Sequence, residues 1–181
     1  VGSWQEIEFA TLSFGQGIRL TPIQLATSFA VIANKGKRVI PFLVSRAVDP
    51  QGRTVTERQP ALADQVLKEE TAQTLLSMLE EVTRAGGTAT RAAIPGYRIA
   101  GKTGTAQKVV NGAYSHTKFV SSFVGIIPAD RPQLVVLVIV DEPKGVVYGG
   151  LVAAPVFRNI AWASVVDLGI PPSNNDVAAT R

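Results

Sequence analysis

Apolar residues recur near a 3.6-residue period just after position 21: Ile23, Ala26, Ala30 and Ala33 form one line, and Leu25, Phe29 and Ile32 widen it. The spacing predicts a largely buried helix from Pro22 to about Asn34. Thr21 suits its N-cap, Pro22 its first position and Gln24 a capping box, while Gly36 suits the left-handed residue that closes it. Val39 to Val48 then reads as extended, Asp49-Pro50-Gln51-Gly52 as a turn and Arg53 to Glu57 as a return strand, together a surface hairpin. A second helix is expected over about Glu69 to Arg84. Ala72, Leu75, Leu76, Leu79 and Val82 share one of its faces, Glu69 and Glu70 favour its N-terminal dipole, and Gly86-Gly87 stops it.

From Tyr97 the period changes to that of strands. Tyr97 to Val110, Phe119 to Ile127 and Leu134 to Val140 are joined by an Asn111-Gly112 turn and an Asp130-Arg131-Pro132 turn, which predicts an antiparallel three-stranded meander. The last two strands are almost continuously apolar, as expected of a sheet covered on both faces. A final helix over about Pro155 to Asp167, with Val156, Ile160, Ala163 and Val166 inward and Gly169 as its stop, supplies one cover. Segregated helices and strands of this order indicate an α+β fold, an antiparallel sheet packed by helices. The expected organisation is one domain over residues 1–172 and a polar, fraying tail over 173–181, with no internal repeat.

Composition narrows the function. Of the 181 residues 46% are hydrophobic and 18% charged, which suits a packed core. Lys and Arg number 18 against 14 Asp and Glu, a net charge of +4, but the basic residues are scattered and form no aromatic-lined basic groove, so nucleic acid is not an expected partner. The absence of cysteine excludes a disulfide framework, zinc-cysteine and iron–sulfur sites and a cysteine nucleophile. The one histidine and the spacing of the carboxylates form no metal-ligand pattern, so neither a metal nor another cofactor is expected. The longest uninterrupted apolar run, Leu134 to Val140, is short of the roughly 20 residues that cross a bilayer, so no transmembrane helix is expected. The chain opens on Val1 without an initiator Met or a signal peptide, and reads as a piece of something longer.

The most specific stretch is Gly101-Lys102-Thr103-Gly104-Thr105-Ala106, at the start of the first meander strand. Glycines on both sides of a Lys-Thr pair let a ligand backbone approach the strand edge, and Lys102 with the hydroxyls of Thr103 and Thr105 can bind a carboxylate. This stretch occurs with Ser13-Phe14-Gly15-Gln16-Gly17, Thr21-Pro22-Ile23-Gln24-Leu25-Ala26, Gly96-Tyr97-Arg98-Ile99-Ala100, Tyr148-Gly149-Gly150 and Ala154-Pro155-Val156-Phe157 in that order along the chain, Lys102 falling between the third and fourth. The ordered set resembles the C-terminal half of the transpeptidase domain of class B penicillin-binding proteins, most like the division-specific group that makes septal peptidoglycan, from Ser13 to about Pro172.

The resemblance implies an incomplete penicillin-binding-protein/β-lactamase-like fold and a set of roles. Lys102 corresponds to the Lys-Thr-Gly lysine, which steers the substrate's terminal carboxylate and bonds the Ser-x-Asn serine. Thr103 and Thr105 bind that carboxylate, Gly104 keeps the approach open, and the Thr105 backbone N–H is half of an oxyanion hole, a donor whose loss typically costs about 2.7–4 kcal/mol in the transition state. Tyr148 and Phe119 correspond to aromatic walls of the substrate pocket. The family's Ser-x-x-Lys nucleophile and Ser-x-Asn segment are expected upstream of this chain, which by itself is expected to be inert. Ser115-His116-Thr117-Lys118 and Ser173-Asn174-Asn175 fit those patterns by coincidence, since Ser115 enters a strand, where residues three apart point to opposite faces, and Ser173 follows Pro171-Pro172 in the tail. His116 reads as an exposed loop residue, and the Glu80-Glu81 and Asp141-Glu142 pairs as solvated surface.

The implied partners are the D-Ala-D-Ala end of a peptidoglycan stem peptide, β-lactam antibiotics and division proteins. The implied location is the extracytoplasmic (periplasmic) side of a bacterial cytoplasmic membrane, reached through an N-terminal anchor outside this chain. A β-lactamase or D-Ala-D-Ala carboxypeptidase of the same superfamily, a β-lactam sensor domain and an inactive structural homologue are the alternatives.

Overall fold

The computed structural model describes residues 6, 10, 11, 15 and 17–173. The first helix, α1 (Pro22–Ala33), begins on the expected capping box: Thr21 Oγ1 accepts from the Gln24 N–H, and the Gln24 side chain accepts from the Thr21 N–H at 2.8 Å. It is less buried than its composition suggests, for only Val31 is fully covered and Ile23 is 54% exposed. Phe29, Ile32 and Ala33 touch the core, whereas Pro22, Ile23 and Ala26 border a shallow cleft. After α1 the expected hairpin forms from β2 (Arg46–Val48) and β3 (Thr54–Glu57), closed by Asp49, whose carboxylate accepts from the N–H groups of Gln51 and Arg53 at 2.9 Å. Two short strands that periodicity did not reveal, β1 (Lys37–Val39) and β4 (Leu62–Gln65), pair antiparallel at its base.

Helix α2 (Glu69–Glu80) ends four residues earlier than expected. There Thr83 turns inward and its hydroxyl donates to the Ile99 carbonyl at 2.8 Å, which fixes the chain to the first long strand. The meander follows as predicted: β5 (Ala100–Val110), β6 (Ala113–Ile127) and β7 (Leu134–Asp141) lie in the order β5-β6-β7, with Asn111 and Gly112 both in the left-handed region at the turn. The pairs Lys102↔Val124 and Gly104↔Ser122 place those residues on one face, and Thr103↔Phe123 and Thr105↔Ser121 on the other. α1 and α2 cover the first face around Ala100, Ile126 and Ala129.

The last helix, α3 (Gly149–Asp167), covers the second face. It starts six residues before the expected Pro155, which lies inside it. Its inward line is also different: Ala153, Ala154, Phe157, Ala161 and Val165 are buried, whereas Val156, Ile160 and Val166 are exposed and Ala163 points to solvent. Small alanines let the helix approach the sheet closely, and the Phe157 ring then packs edge-on to Phe123, with centroids 4.8 Å apart, in the space that Gly125 leaves open. α3 is long and apolar enough to cross a membrane, a property its interrupted apolar runs concealed, but here it is the core helix of the domain. Gly169, at φ +62°, ends it as expected.

Two polar residues expected at the surface are structural instead. Glu80 is buried and accepts two hydrogen bonds from the Arg98 guanidinium, at 2.7 and 2.8 Å, which joins the end of α2 to the start of the β5 strand segment. Ser173 is also buried: its N–H donates to the Gly96 carbonyl at 2.8 Å, and its hydroxyl accepts from the Arg98 N–H and donates to Asp130. The chain is therefore ordered through Ser173, and the expected tail from residue 174 onward lies outside the described residues.

Candidate functional site

Strand β5 is an edge of the three-stranded sheet, and the Lys102–Thr105 run lies along it. Gly104 faces Ser122, and a Cβ there would displace the Ser122 hydroxyl from its present position. Lys102 is exposed and its ammonium donates to the Thr103 carbonyl at 2.8 Å. On the same face a cleft of about 440 Å³ opens between β5 and α1, with Leu25 and Phe29 as one wall and Val120, Ser122 and Val124 behind the strand. Among the described residues that line it Lys102 is the one charged residue, so the cleft suits a ligand that is largely apolar and carries an anionic group.

The two threonines are held from the far side of the sheet. Thr105 Oγ1 accepts the Gly149 N–H at 3.1 Å, and Thr103 Oγ1 lies 3.2 Å from Thr88 Oγ1. A hydroxyl that accepts a backbone N–H keeps its own proton to donate, so Thr105 is oriented as a donor toward an incoming anion. This contact depends on Gly149, where a Cβ would strike the carbonyl oxygens of Ser122 and Gly104, backbone atoms that cannot swing aside. The neighbouring Gly150 lies equally close to the Thr88 carbonyl. The glycine pair thus brings the N-terminus of α3, with its partial positive charge, against the back of the site strand.

The structure assembles Lys102, Thr103, Gly104 and Thr105 at one edge; Tyr148 is the exposed N-cap residue of α3, next to the Gly149 that bonds Thr105, and is not among the described residues that line the cleft. Phe119 is not among the described residues that line the cleft: it pairs with Gln107 farther along the hairpin and accepts the Glu142 N–H through its carbonyl at 2.9 Å. Ser115 and His116 lie on β6, where Ser115 Oγ accepts from the N–H groups of Thr117 and Lys118, so Ser115 and Lys118 form no helical nucleophile pair. Of the upstream Ser13–Gly17 segment, Ser13, Phe14 and Gln16 lie outside the described residues, and Gly15 borders the cleft. Thr88, Ser122 and the Leu25–Phe29 wall were not indicated by the sequence. Thr88 follows a glycine pair in a turn, and no local pattern marks a partner 15 residues away. Among the described residues no group of His, Asp or Glu could hold a metal ion.

At the outer end of the hairpin Lys108 bonds Asp141 and Glu142, both at 2.9 Å, and Lys118 lies 3.6 Å from Glu142. The hydrogen bond to Glu142 is the main cause that raises the Lys108 pKa, and the same bond holds the Glu142 carboxyl below its ordinary value. These pairs fasten the outer part of β5 to the end of β7.

Comparison with known proteins gives one consistent result. A family model described as penicillin binding protein transpeptidase domain matches residues 2–161. The chain is 43% identical over 173 residues to stage V sporulation protein D of Bacillus subtilis, covering 94% of this chain and 27% of that protein. It is 38% identical over 177 residues to the probable peptidoglycan D,D-transpeptidase PenA of Neisseria gonorrhoeae, covering 97% of this chain and 29% of that protein. Among solved structures it is similar to penicillin binding protein 3 of Mycobacterium tuberculosis in complex with ampicillin, with a TM-score of 0.85 and 35% identity over 97% of this chain and 41% of that one. The chain thus spans 27%, 29% and 41% of the length of these three proteins.

Proposed function

The chain belongs to the family of penicillin-binding-protein transpeptidase domains, and from that membership we propose that it forms the substrate-holding half of a serine D,D-transpeptidase that cross-links peptidoglycan stem peptides. The observation that carries this reading is the Lys102–Thr105 run on a sheet edge, beside a cleft with no acid among the described residues that line it, with the Thr105 hydroxyl oriented from behind by Gly149. An extended D-alanyl-D-alanine end lies along this edge. Its terminal carboxylate meets the Thr103 and Thr105 hydroxyls and the charge of Lys102, and Tyr148 flanks it.

The nucleophile is a serine of a Ser-x-x-Lys sequence that precedes Val1, and a Ser-x-Asn segment accompanies it. Ser115-His116-Thr117-Lys118 is the one such pattern within the chain, and its strand geometry disqualifies it. The serine oxygen adds to the penultimate D-alanine carbonyl, the oxyanion is held by its own N–H and that of Thr105, and the terminal D-alanine leaves as the amine. An amine of a second stem peptide then takes the acyl group and frees the serine. A β-lactam follows the same first step, and its ring-opened amine stays attached. The protein works on the outer side of the cytoplasmic membrane, anchored by a segment outside this sequence, with lipid-linked peptidoglycan and division proteins as partners. The chain by itself is inert.

Peptide mapping of the full-length protein after incubation with benzylpenicillin tests this reading. An adduct is expected on a serine upstream of Val1. Its absence under conditions that label a known penicillin-binding protein, or its presence on Ser115, overturns the assignment.

A further inference from the structure

Among the described residues the β2–β3 hairpin contacts no other helix or strand. Every residue of both strands is exposed, and neither outer edge has a partner strand among the described residues. A lone two-stranded hairpin is marginal in water, and an open Thr-Val-Thr edge is a ready template for a further strand. Apolar side chains accompany it: Leu43, just before β2, is 100% exposed, and Val44, Val48 and Val55 are each more than half exposed.

Charge identifies what fits here. Between residues 35 and 60 there are six Lys or Arg and two acids, an excess equal to the +4 of the whole chain, so the remaining sequence is balanced. Lys35, Arg38 and Arg53 are paired with Glu69, Asp64 and Asp49. Arg46 and Arg58 have no carboxylate partner within ion-pair distance among the described residues, and they sit together at the open end of the hairpin, where the Arg58 N–H donates to the Ser45 carbonyl at 2.7 Å.

We propose that this hairpin is a docking strand for an extended acidic segment of a partner protein, which adds to its edge as a third strand. Main-chain hydrogen bonds supply the pairing, alternate apolar residues of the partner cover Leu43 and Val44, and its carboxylates meet Arg46 and Arg58. A second copy of the same hairpin would bring the same positive excess and is disfavoured by it.

The test titrates an eight-residue synthetic peptide of alternating glutamate and valine into the full-length protein, with amide exchange read by mass spectrometry. Exchange over residues 46–57 is expected to slow. Arg46→Glu/Arg58→Glu is expected to weaken binding about tenfold or more, and the same peptide with lysine in place of glutamate is expected to bind that variant better than the unaltered protein. Unchanged acylation of the variant by benzylpenicillin, or an unchanged melting temperature, reports an intact fold. Equal protection by the two peptides in the unaltered protein, or equal binding by the variant, overturns the assignment. Protection by phosphatidylglycerol vesicles but not by the acidic peptide, or by a rise in protein concentration alone, does so as well.

Discussion

Gly149 donates its backbone N–H to Thr105 Oγ1 at 3.1 Å, so the first turn of α3 orients a hydroxyl of the strand that carries Lys102. The sheet face away from the cleft therefore helps to shape the edge that meets the ligand. Four expectations follow from this arrangement and from the ion pairs around it.

Gly149→Ala places a Cβ against the carbonyl oxygens of Ser122 and Gly104, and the first turn of α3 must move off the sheet. The N–H to Thr105 is lost with it. A hydrogen bond between neutral groups is worth about 0.5–1.5 kcal/mol net, so benzylpenicillin acylation of the full-length protein is expected to slow roughly 2- to 10-fold. A stopped-flow acylation rate equal to that of the unaltered protein would show that the contact is dispensable.

Thr105→Val keeps the shape of the side chain and removes the hydroxyl. The acylation rate with a penicillin that bears a free carboxylate is expected to fall about tenfold or more, and the rate with its methyl ester to change little. The ratio of the two rates reads carboxylate recognition directly. A parallel loss with both compounds would assign Thr105 a structural role.

Glu80→Gln removes the carboxylate charge that the Arg98 guanidinium meets, at a site where the Glu80 side chain is 6% exposed. Loss of one partner of a fully buried pair costs about 3–5 kcal/mol, and because the Arg98 side chain is 35% exposed, solvent screening brings the expected destabilisation below that range, to about 2–3 kcal/mol. Urea denaturation with an unchanged m-value would measure it. A variant as stable as the original would mean that the pair stabilises nothing.

The pair of Lys108 and Glu142 sets a pH window at the outer end of the hairpin. Glu142 has a lowered pKa in the fold, so its contribution is present above the ordinary carboxylate range and is lost as pH falls through its folded value. Lys108 has a raised pKa, so its contribution is present below the ordinary lysine value and is lost as pH rises through the folded one. An NMR titration of the Glu142 carboxyl is expected to show a midpoint below that of a free glutamate, and Lys108→Met is expected to move it upward. An unmoved midpoint in that variant would remove Lys108 as the cause.

Local chemistry was readable and long-range contacts were not. The Thr21–Gln24 capping box, the Asn111-Gly112 turn and the three-stranded meander follow from neighbouring residues, and the structure has all of them. The Lys102–Thr105 stretch stood out because its glycines are unusual in a strand. Hydrophobicity misassigned α3, because the contact face of that helix uses small alanines and its larger Val156, Ile160 and Val166 point outward. Glu80 and Ser173 were unreadable for a different reason, since their partners Arg98 and Asp130 lie 18 and 43 residues away and only the fold brings them together. The same holds for Thr88 behind Thr103.

The contacts of Ser173 bear on how this protein can be handled. Its hydroxyl accepts the Arg98 N–H, only a few residues before Lys102, and the Tyr97 hydroxyl donates to the Ile170 carbonyl at 2.7 Å. The last described residues are in effect a clamp on the root of the site strand. Trimming the chain after Ile170, or protease cleavage in the Pro171–Ser173 stretch, would remove the Ser173 contacts with Gly96, Arg98 and Asp130 and leave the Thr83 and Glu80 contacts to hold that root. A preparation shortened in this way would carry the whole recognition surface on a strand held at fewer points.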